Sequence, residues 1–472
     1  MKTLLYDKLN TKLLEKKLEK SGTPSILLML RAGYNLYQLV KKSFDYDKII
    51  AIAGPGNNGG DAIAFSIQAK LNNENITFVS LAKHKNHSKH LLLMLKNIGL
   101  KENKFKKSFF ISRKKILVID GILGIGISRK PAGEIAKTIK YINNLKKKNI
   151  NIISIDIPSG LNPDTGIAYS DTIFANNTIM CLTRKQGCYT GDGIKHSGEL
   201  FFTDLGITNS EKIQSTSYTL LDSDKKILIK RDKTFHKGKF GNVLILGGWD
   251  NMPGAANLSA LAALKTGCGK VFVCNNNFNK LPNEVIRVSG NLESILKIIN
   301  KINVIVAGPG LGKNGKEILS FLWNKNIPLV LDADGINWLA NHYLRKRKAL
   351  LIGTPHHGEA RNLIGKEFSN RFETINLLKK RYGGRWVLKG AGTLIVNRNK
   401  SYINNFANSI LATAGTGDVL AGIIGSLVAQ NLKEPEVVGV QIHTIAAKKI
   451  LAEGNKTLVA SDLLKKISTS IN

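Results

Sequence analysis

Eleven residues, ATAGTGDVLAG (412–422), place three glycines and one acid, Asp418, directly before an apolar run. Glycines let a backbone approach an anion, and the free amides at the start of a buried helix suit a phosphate. A carboxylate repels that phosphate, so Asp418 reads either as a base taking a proton from an attacking hydroxyl or as a first-turn capping acid. No GxxxxGK[ST] occurs, and GPGLGKN (308–314) has the wrong spacing and no hydroxyl, so a P-loop is excluded. A second set of oxygens lies earlier. GPGNNG (54–59) follows a strand-like run and formally matches GxGxxG. The acid that a dinucleotide ribose needs about 20 residues later is missing from VSLAKHK (79–85). Asn57, Asn58 and Asp61 instead end the first strand in amides and a carboxylate, and Asp120, Asp156 and Ser159 end two later ones. Such oxygens suit a hard cation, although each alone is equally a cap or turn residue. KHKNHSKH (83–90) spaces three histidines at intervals of three, but its lysines repel a cation, so it reads as a solvated basic segment.

The elements that must carry these residues alternate, short β-branched runs with helix-like stretches, the pattern of parallel sheets covered by helices. The first strand series is KIIAIA (48–53), ITFVSLA (76–82), KILVIDGIL (115–123), NIISIDIP (151–158) and TIMCLT (178–183), with a helix over 22–42 ahead of it. A charged, glycine-punctuated stretch at 222–241 precedes a second series: NVLILGG, KVFVCN, VIVAGPG, PLVLDADG, LLIGTPH and WVLKGAGTLIV. The boundary is expected near 225, and ligands are expected at the carboxyl ends of the strands.

A chain of 472 residues exceeds the roughly 300 at which single cores divide, which predicts two domains. No apolar stretch reaches the roughly 18 residues that span a bilayer, and the charged start MKTLLYDKLNTKLLEKKLEK argues against an export signal. Four cysteines with no CxxC pair fit a reducing, cytoplasmic setting. The excess of 69 basic over 34 acidic residues gives +35. The lysines are scattered rather than striped with aromatics, so no specific nucleic-acid partner is expected. The positive field would concentrate an anionic substrate.

NNGGD (57–61), DGILGIG (120–126) and DIPSGLNPDTG (156–166), in that order, resemble the epimerase domain of NAD(P)H-hydrate repair enzymes. The resemblance implies interconversion of the two epimers of hydrated NADH or NADPH, with potassium near Asn58, Asp120 and Ser159. It places Asn57, Asn58, Gly59, Gly60, Asp61, Gly124, Ile125, Gly126, Ile127, Ser128, Arg129, Lys130 and Asp156 against the substrate. Asp156 is the expected acid/base, with Arg129 or Lys130 as its partner. Ala62 stands where the family pattern has glycine, putting a methyl group where it would crowd a bound phosphate.

In the second half, the glycine loop resembles that of ribokinase-like kinases. Seven ordered strings over 228–465, among them MPGAA, AGPGLG, VLDADGIN, TPHHGEA and VLKGAGTLI, resemble the ADP-dependent NAD(P)H-hydrate dehydratase. ADP is thereby implied at Lys389, Gly390, Ala391, Gly392 and Thr393, and at Asn408, Ser409, Ile410, Leu411, Ala412, Thr413, Ala414, Gly415, Thr416 and Gly417. Substrate contacts are implied at Ala255 or Ala256, Gly310, His356 and Asp418, with Asp418 as base, and Mg²⁺ is expected with the nucleotide. The implied fold class is α/β, two three-layer α/β/α domains: a Rossmann-like epimerase domain at 1–224 and a ribokinase-like dehydratase domain at 225–472. Homo-oligomers are expected from the family. A ribokinase-like small-molecule kinase and a basic nucleic-acid-binding scaffold are the alternatives.

Overall fold

Runs such as KIIAIA are apolar on both faces, which suits strands covered by helices above and below. In the computed structural model, which describes residues 3–145, 149–207, 218–221, 227, 237–249, 251–276, 281–342, 346–366, 370–398 and 400–471, they form two sheets. The chain divides into two compact units, Met1–Thr219 and Leu220–Asn472. The expected boundary at 224/225 lies outside the described residues.

The first unit contains β1 (Lys48–Ala53), β2 (Ile76–Ser80), β3 (Glu102–Asn103), β4 (Ile116–Gly121), β5 (Ile150–Ile155), β6 (Asn177–Cys181) and β7 (Glu199–Thr203). Their spatial order is β3-β2-β1-β4-β5-β6-β7, and every pairing is parallel. Residues Ile49 to Ala53 are fully buried. β3 and β7 were not expected: the first has two residues, and the second, ELFFT, is only half-buried and lacks a long apolar run. Ahead of the expected helix, found at Ser25–Ser43, lies another, α1 (Lys8–Lys20), capped by Asp7, whose carboxylate accepts from the Asn10 amide. It buries Leu14 and Leu18 in the core.

The second unit contains β8 (Asn242–Leu246), β9 (Lys270–Asn275), β10 (Ile286–Ser289), β11 (Val304–Ala307), β12 (Leu329–Leu331), β13 (Leu351–Gly353), β14 (Arg385–Leu388), β15 (Thr393–Val396) and β16 (Ser401–Asn404). In space they run β16-β15-β14-β13-β12-β11-β8-β9-β10. The pairings from β14 to β10 are parallel, but β14 with β15 and β15 with β16 are antiparallel. WVLKGAGTLIV is therefore a hairpin, with KGAG as its turn. The helix after the glycine loop, Thr416–Ala429, is buried on nearly every face. It packs against the helix Pro253–Thr266 so closely that a methyl group at Gly422 would lie 2.1 Å from the Ser259 carbonyl oxygen.

Candidate active sites

In the first unit the strand order reverses between β1 and β4, which opens a crevice at their carboxyl ends. A cavity of about 570 Å³ lies there. Asn57, Asn58 and Asp61 line it from the start of the helix Asn57–Leu71, Gly124 to Lys130 from the loop after β4, and Asp156 from the end of β5. Lys12 and Glu15 of α1 also face it. Gly59 and Gly60 do not: both are buried behind the lining, and a methyl group at Gly59 would fall 2.0 Å from the Gly54 carbonyl oxygen. Ala62 is also fully buried, turned toward Gly121 and away from the cavity, so its methyl group does not crowd a ligand.

Asn58, Asp120 and Ser159 come together around Leu123. Asn58 Nδ2 donates to the Leu123 carbonyl (3.1 Å), and Ser159 Oγ accepts from the Leu123 amide (2.7 Å). Asp120 is fully buried and accepts from Ser154 Oγ (2.7 Å), Ser159 Oγ (2.5 Å), the Ser159 amide (3.0 Å) and the Ile122 amide (3.2 Å). Burial pushes its carboxyl above the ordinary range, while these neutral donors pull it back. A buried acid with only neutral partners, beside hydroxyl, amide and carbonyl oxygens, is a donor set that fits a hard cation.

Asp156 has φ of +66°, a left-handed conformation that a non-glycine residue adopts at a cost. Its Oδ1 accepts from the Cys181 amide (3.1 Å) and forms an ion pair with Lys185. The lysine is 1% exposed and also donates to the carbonyls of Cys181 (2.8 Å) and Thr183 (3.0 Å). Tyr6 brackets it: the Tyr6 amide donates to the Arg184 carbonyl (2.8 Å), and the Gln186 amide donates to the Tyr6 carbonyl (3.0 Å). The cation paired with Asp156 is therefore Lys185, not Arg129 or Lys130, which are exposed on the cavity rim.

In the second unit the reversal falls between β8 and β11. Gly415, with φ of +89°, turns the chain into the helix Thr416–Ala429, and Asp418 sits in its first turn. A methyl group at Gly417 would lie 3.1 Å from Lys389 Nζ and 3.2 Å from Asp332 Oδ2, so this glycine admits a buried charge cluster. Within it Lys389 pairs with Asp332 Oδ1 (2.5 Å) and lies 3.9 Å from Glu359 Oε2, and Thr354 Oγ1 donates to Asp332 (2.8 Å). Burial, with Asp332 adding and Lys389 opposing, raises the Asp418 carboxyl to about 7. Burial works against the Lys389 charge, but Asp332 and Glu359 outweigh it and hold the ammonium above its usual range. The loop is braced from below by His443, whose Nε2 donates to the Thr416 carbonyl (3.0 Å); burial lowers this imidazole to about 4, so it stays neutral.

The hairpin turn Lys389–Thr393 is held by Arg371, which donates to the carbonyls of Leu388 (3.2 Å), Lys389 (3.3 Å), Gly392 (3.1 Å) and Ala391. Of the loop 408–417, Asn408, Ser409, Ala412 and Ala414 are exposed, whereas Ile410 and Thr416 are buried in the loop's own packing. Asn408 caps the short turn Ser409–Leu411 by accepting from the Ile410 amide (2.9 Å). Ala255 is half-buried, but Ala256 is fully buried against Gly248 and is closed to a substrate. The Gly310 carbonyl accepts from the amides of Gly248 (2.7 Å) and Trp249 (2.9 Å). His356 is exposed and accepts from the Glu359 amide (3.3 Å).

A family model described as NAD(P)H-hydrate dehydratase matches residues 243–469, and one described as YjeF-related protein N-terminus matches residues 25–187. A bifunctional NAD(P)H-hydrate repair enzyme of Coxiella burnetii is 32% identical, with 100% of both chains covered. The chain belongs to the bifunctional NAD(P)H-hydrate repair enzyme family. The family's Dictyoglomus turgidum member is 33% identical, covering 98% of this chain and 97% of its own. A solved ribokinase-like superfamily protein from Enterococcus faecalis superposes with a TM-score of 0.50 at 24% identity, covering 53% of this chain and 94% of its own. That likeness concerns the fold.

Sequence reasoning missed Lys185, Glu15, Asp332, Glu359, Arg371 and His443. Asp332 and Glu359 stood inside quoted strings, VLDADGIN and TPHHGEA, and the position of Asp332 directly after an apolar strand was a usable signal. KHKNHSKH also departs from expectation: His84 is buried and its Nε2 meets Ser80 Oγ (3.0 Å). Among the described residues no group of three His, Cys, Asp or Glu side chains could hold a metal ion.

Proposed function

We infer that the chain repairs hydrated NADH and NADPH. The first unit interconverts the R and S hydrate epimers, and the second removes the added water from the S form at the expense of ADP, giving AMP and phosphate. The observation that carries the reading is the place of Asp418, in the first turn of a buried helix at the mouth of a glycine loop, beside the Lys389–Asp332 pair, with burial raising its carboxyl. There it can serve a hydroxyl and a phosphate together.

Water added to an enamine leaves its hydroxyl on the carbon bonded to the ring nitrogen, and hydroxide leaves poorly. Asp418 takes the hydroxyl proton as the oxygen attacks the terminal phosphate of ADP. The amides of the 415–417 turn offset charge on the transferring group. The nitrogen lone pair then expels phosphate, and loss of a proton from the neighbouring carbon restores the dihydronicotinamide. ADP would lie against the turn 389–393, which Arg371 holds, and against the exposed part of the loop 408–417. Mg²⁺ would accompany the nucleotide and offset charge on its phosphates. In the first unit, Asn58, Asp120 and Ser159 would hold potassium, which would offset the buried charge of Asp120. Asp156 exchanges the proton of the hydrate's hydroxyl.

Among the described residues no helix is long and apolar enough to cross a membrane, and the four cysteines are buried and joined by no disulfide. A cytoplasmic homo-oligomer is the form we propose. Separately purified epimers, incubated with ADP, test the reading through recovery of the dihydronicotinamide absorbance. Recovery from both epimers is expected; no recovery from the S form with ADP overturns it.

A further inference from the structure

Asp61 and Asp156 both face the cavity of the first unit, and both also border a smaller chamber of about 60 Å³ that Glu15 and Lys185 share. Their surroundings differ. Asp156 has Oδ1 clamped by the Lys185 ammonium and the Cys181 amide. Among the described residues its Oδ2 accepts no hydrogen bond, which leaves that oxygen to the cavity. Lys185 spends its other two N–H groups on the Cys181 and Thr183 carbonyls, so it acts on Asp156 and not on a ligand. Asp61, among the described residues, makes neither a hydrogen bond nor an ion pair. The groups facing it are Glu15 on α1, Asp156 after β5, the Cys181 thiol at the end of β6, and Lys185. Burial first, then Asp156 and Glu15, push its carboxyl well above the ordinary range, against the opposing pull of Lys185.

We propose that Asp61 is a second catalytic carboxyl group of epimerisation, the proton donor to the ring nitrogen, and that Lys185 positions Asp156 as the base. The inference rests on the epimerase reading above. Two carboxyl groups in unlike surroundings are the usual way to place an acid and a base in one site. The hydroxyl proton moves to Asp156 Oδ2. The carbon–nitrogen bond breaks, its electron pair goes to nitrogen, and nitrogen takes the Asp61 proton, leaving an aldehyde. After rotation about the adjoining carbon–carbon bond, nitrogen adds to the other carbonyl face. Its proton returns to Asp61, and Asp156 returns a proton to oxygen, so no oxidant, reductant or co-reactant is consumed.

The test uses the full chain without ADP, so that dehydration is idle, and follows conversion of the R to the S hydrate by chromatography across pH. Wild-type kcat/KM should be bell-shaped. Asp61→Asn should lower kcat about 100-fold or more, leave KM within about threefold, and abolish the alkaline limb, because the donor must carry a proton. Lys185→Met should lower kcat about tenfold or more with KM within about threefold, since Asp156 loses the ammonium that holds it, and Lys185→Arg should restore part of that loss. A merely structural role would leave the alkaline limb in place and would not split kcat from KM. An Asp61→Asn variant with kcat within about threefold of wild type, or with its alkaline limb in place, overturns the proposal. A wild-type chain that converts no R hydrate overturns the epimerase reading itself.

Discussion

Asp418 joins two properties that seldom coincide on a surface acid: it lies at the positive end of a helix, which favours its charge, and among Asp332, Asp334 and Glu359, which oppose it. Burial tips the balance upward, to about 7. A base must be ionised, so the rate of S-hydrate dehydration at saturating ADP should rise with pH through about 7. A pH–rate profile with no acid limb near neutrality would remove Asp418 from that role. Asp418→Asn should cut dehydration by roughly 100- to 10,000-fold while R-to-S conversion continues in the other unit; both are read from one preparation. Asp156→Asn should do the reverse, leaving the S hydrate consumed with ADP and the R hydrate untouched.

At the scale of elements, the acids are only as well placed as the turns before them. Gly415 holds φ of +89°, and a methyl group there would lie 2.6 Å from Leu258 Cδ1 and 2.9 Å from Ala460 Cβ. Gly415→Ala should therefore strain the helix entry and displace Asp418, lowering dehydration at least about tenfold with at most about 1–3 kcal/mol lost from folding. ADP-dependent turnover and a thermal melt on the same variant check both figures. Elements of this kind were the legible part of the sequence. β1 was read at its true bounds because a strand buried on both faces is an unbroken apolar run, and Asp120 and Asp156 followed as strand-end acids. The hairpin β14–β15 was not legible, because KGAG interrupts its apolar run without the usual turn pair. Lys185 and Glu15 were hidden for another reason. They reach Asp156 from segments 29 and 141 positions away in the chain, inside no motif, and only the folded sheet brings them there.

For the molecule as a whole, two activities in two units explain why no single residue carries both. The net charge of +35 belongs to this scale. Hydrates and ADP are anions, so long-range attraction should raise the encounter rate and fade with salt. Between about 0.05 and 0.5 M salt, kcat/KM should fall several-fold for both reactions while kcat holds; salt-independent kcat/KM would show that the charge does no steering. The bracketing of Lys185 by Tyr6 has a consequence for how the protein is made. During synthesis, residue 6 leaves the ribosome long before residues 184 to 186, its partners. A nascent chain released only through β6 already has Asp61, Asp156 and the α1 segment that carries Glu15, yet it lacks the ammonium that holds Asp156 and the backbone that pins it. The epimerase site is thus completed only when the segment that follows β6 returns to the segment that precedes α1.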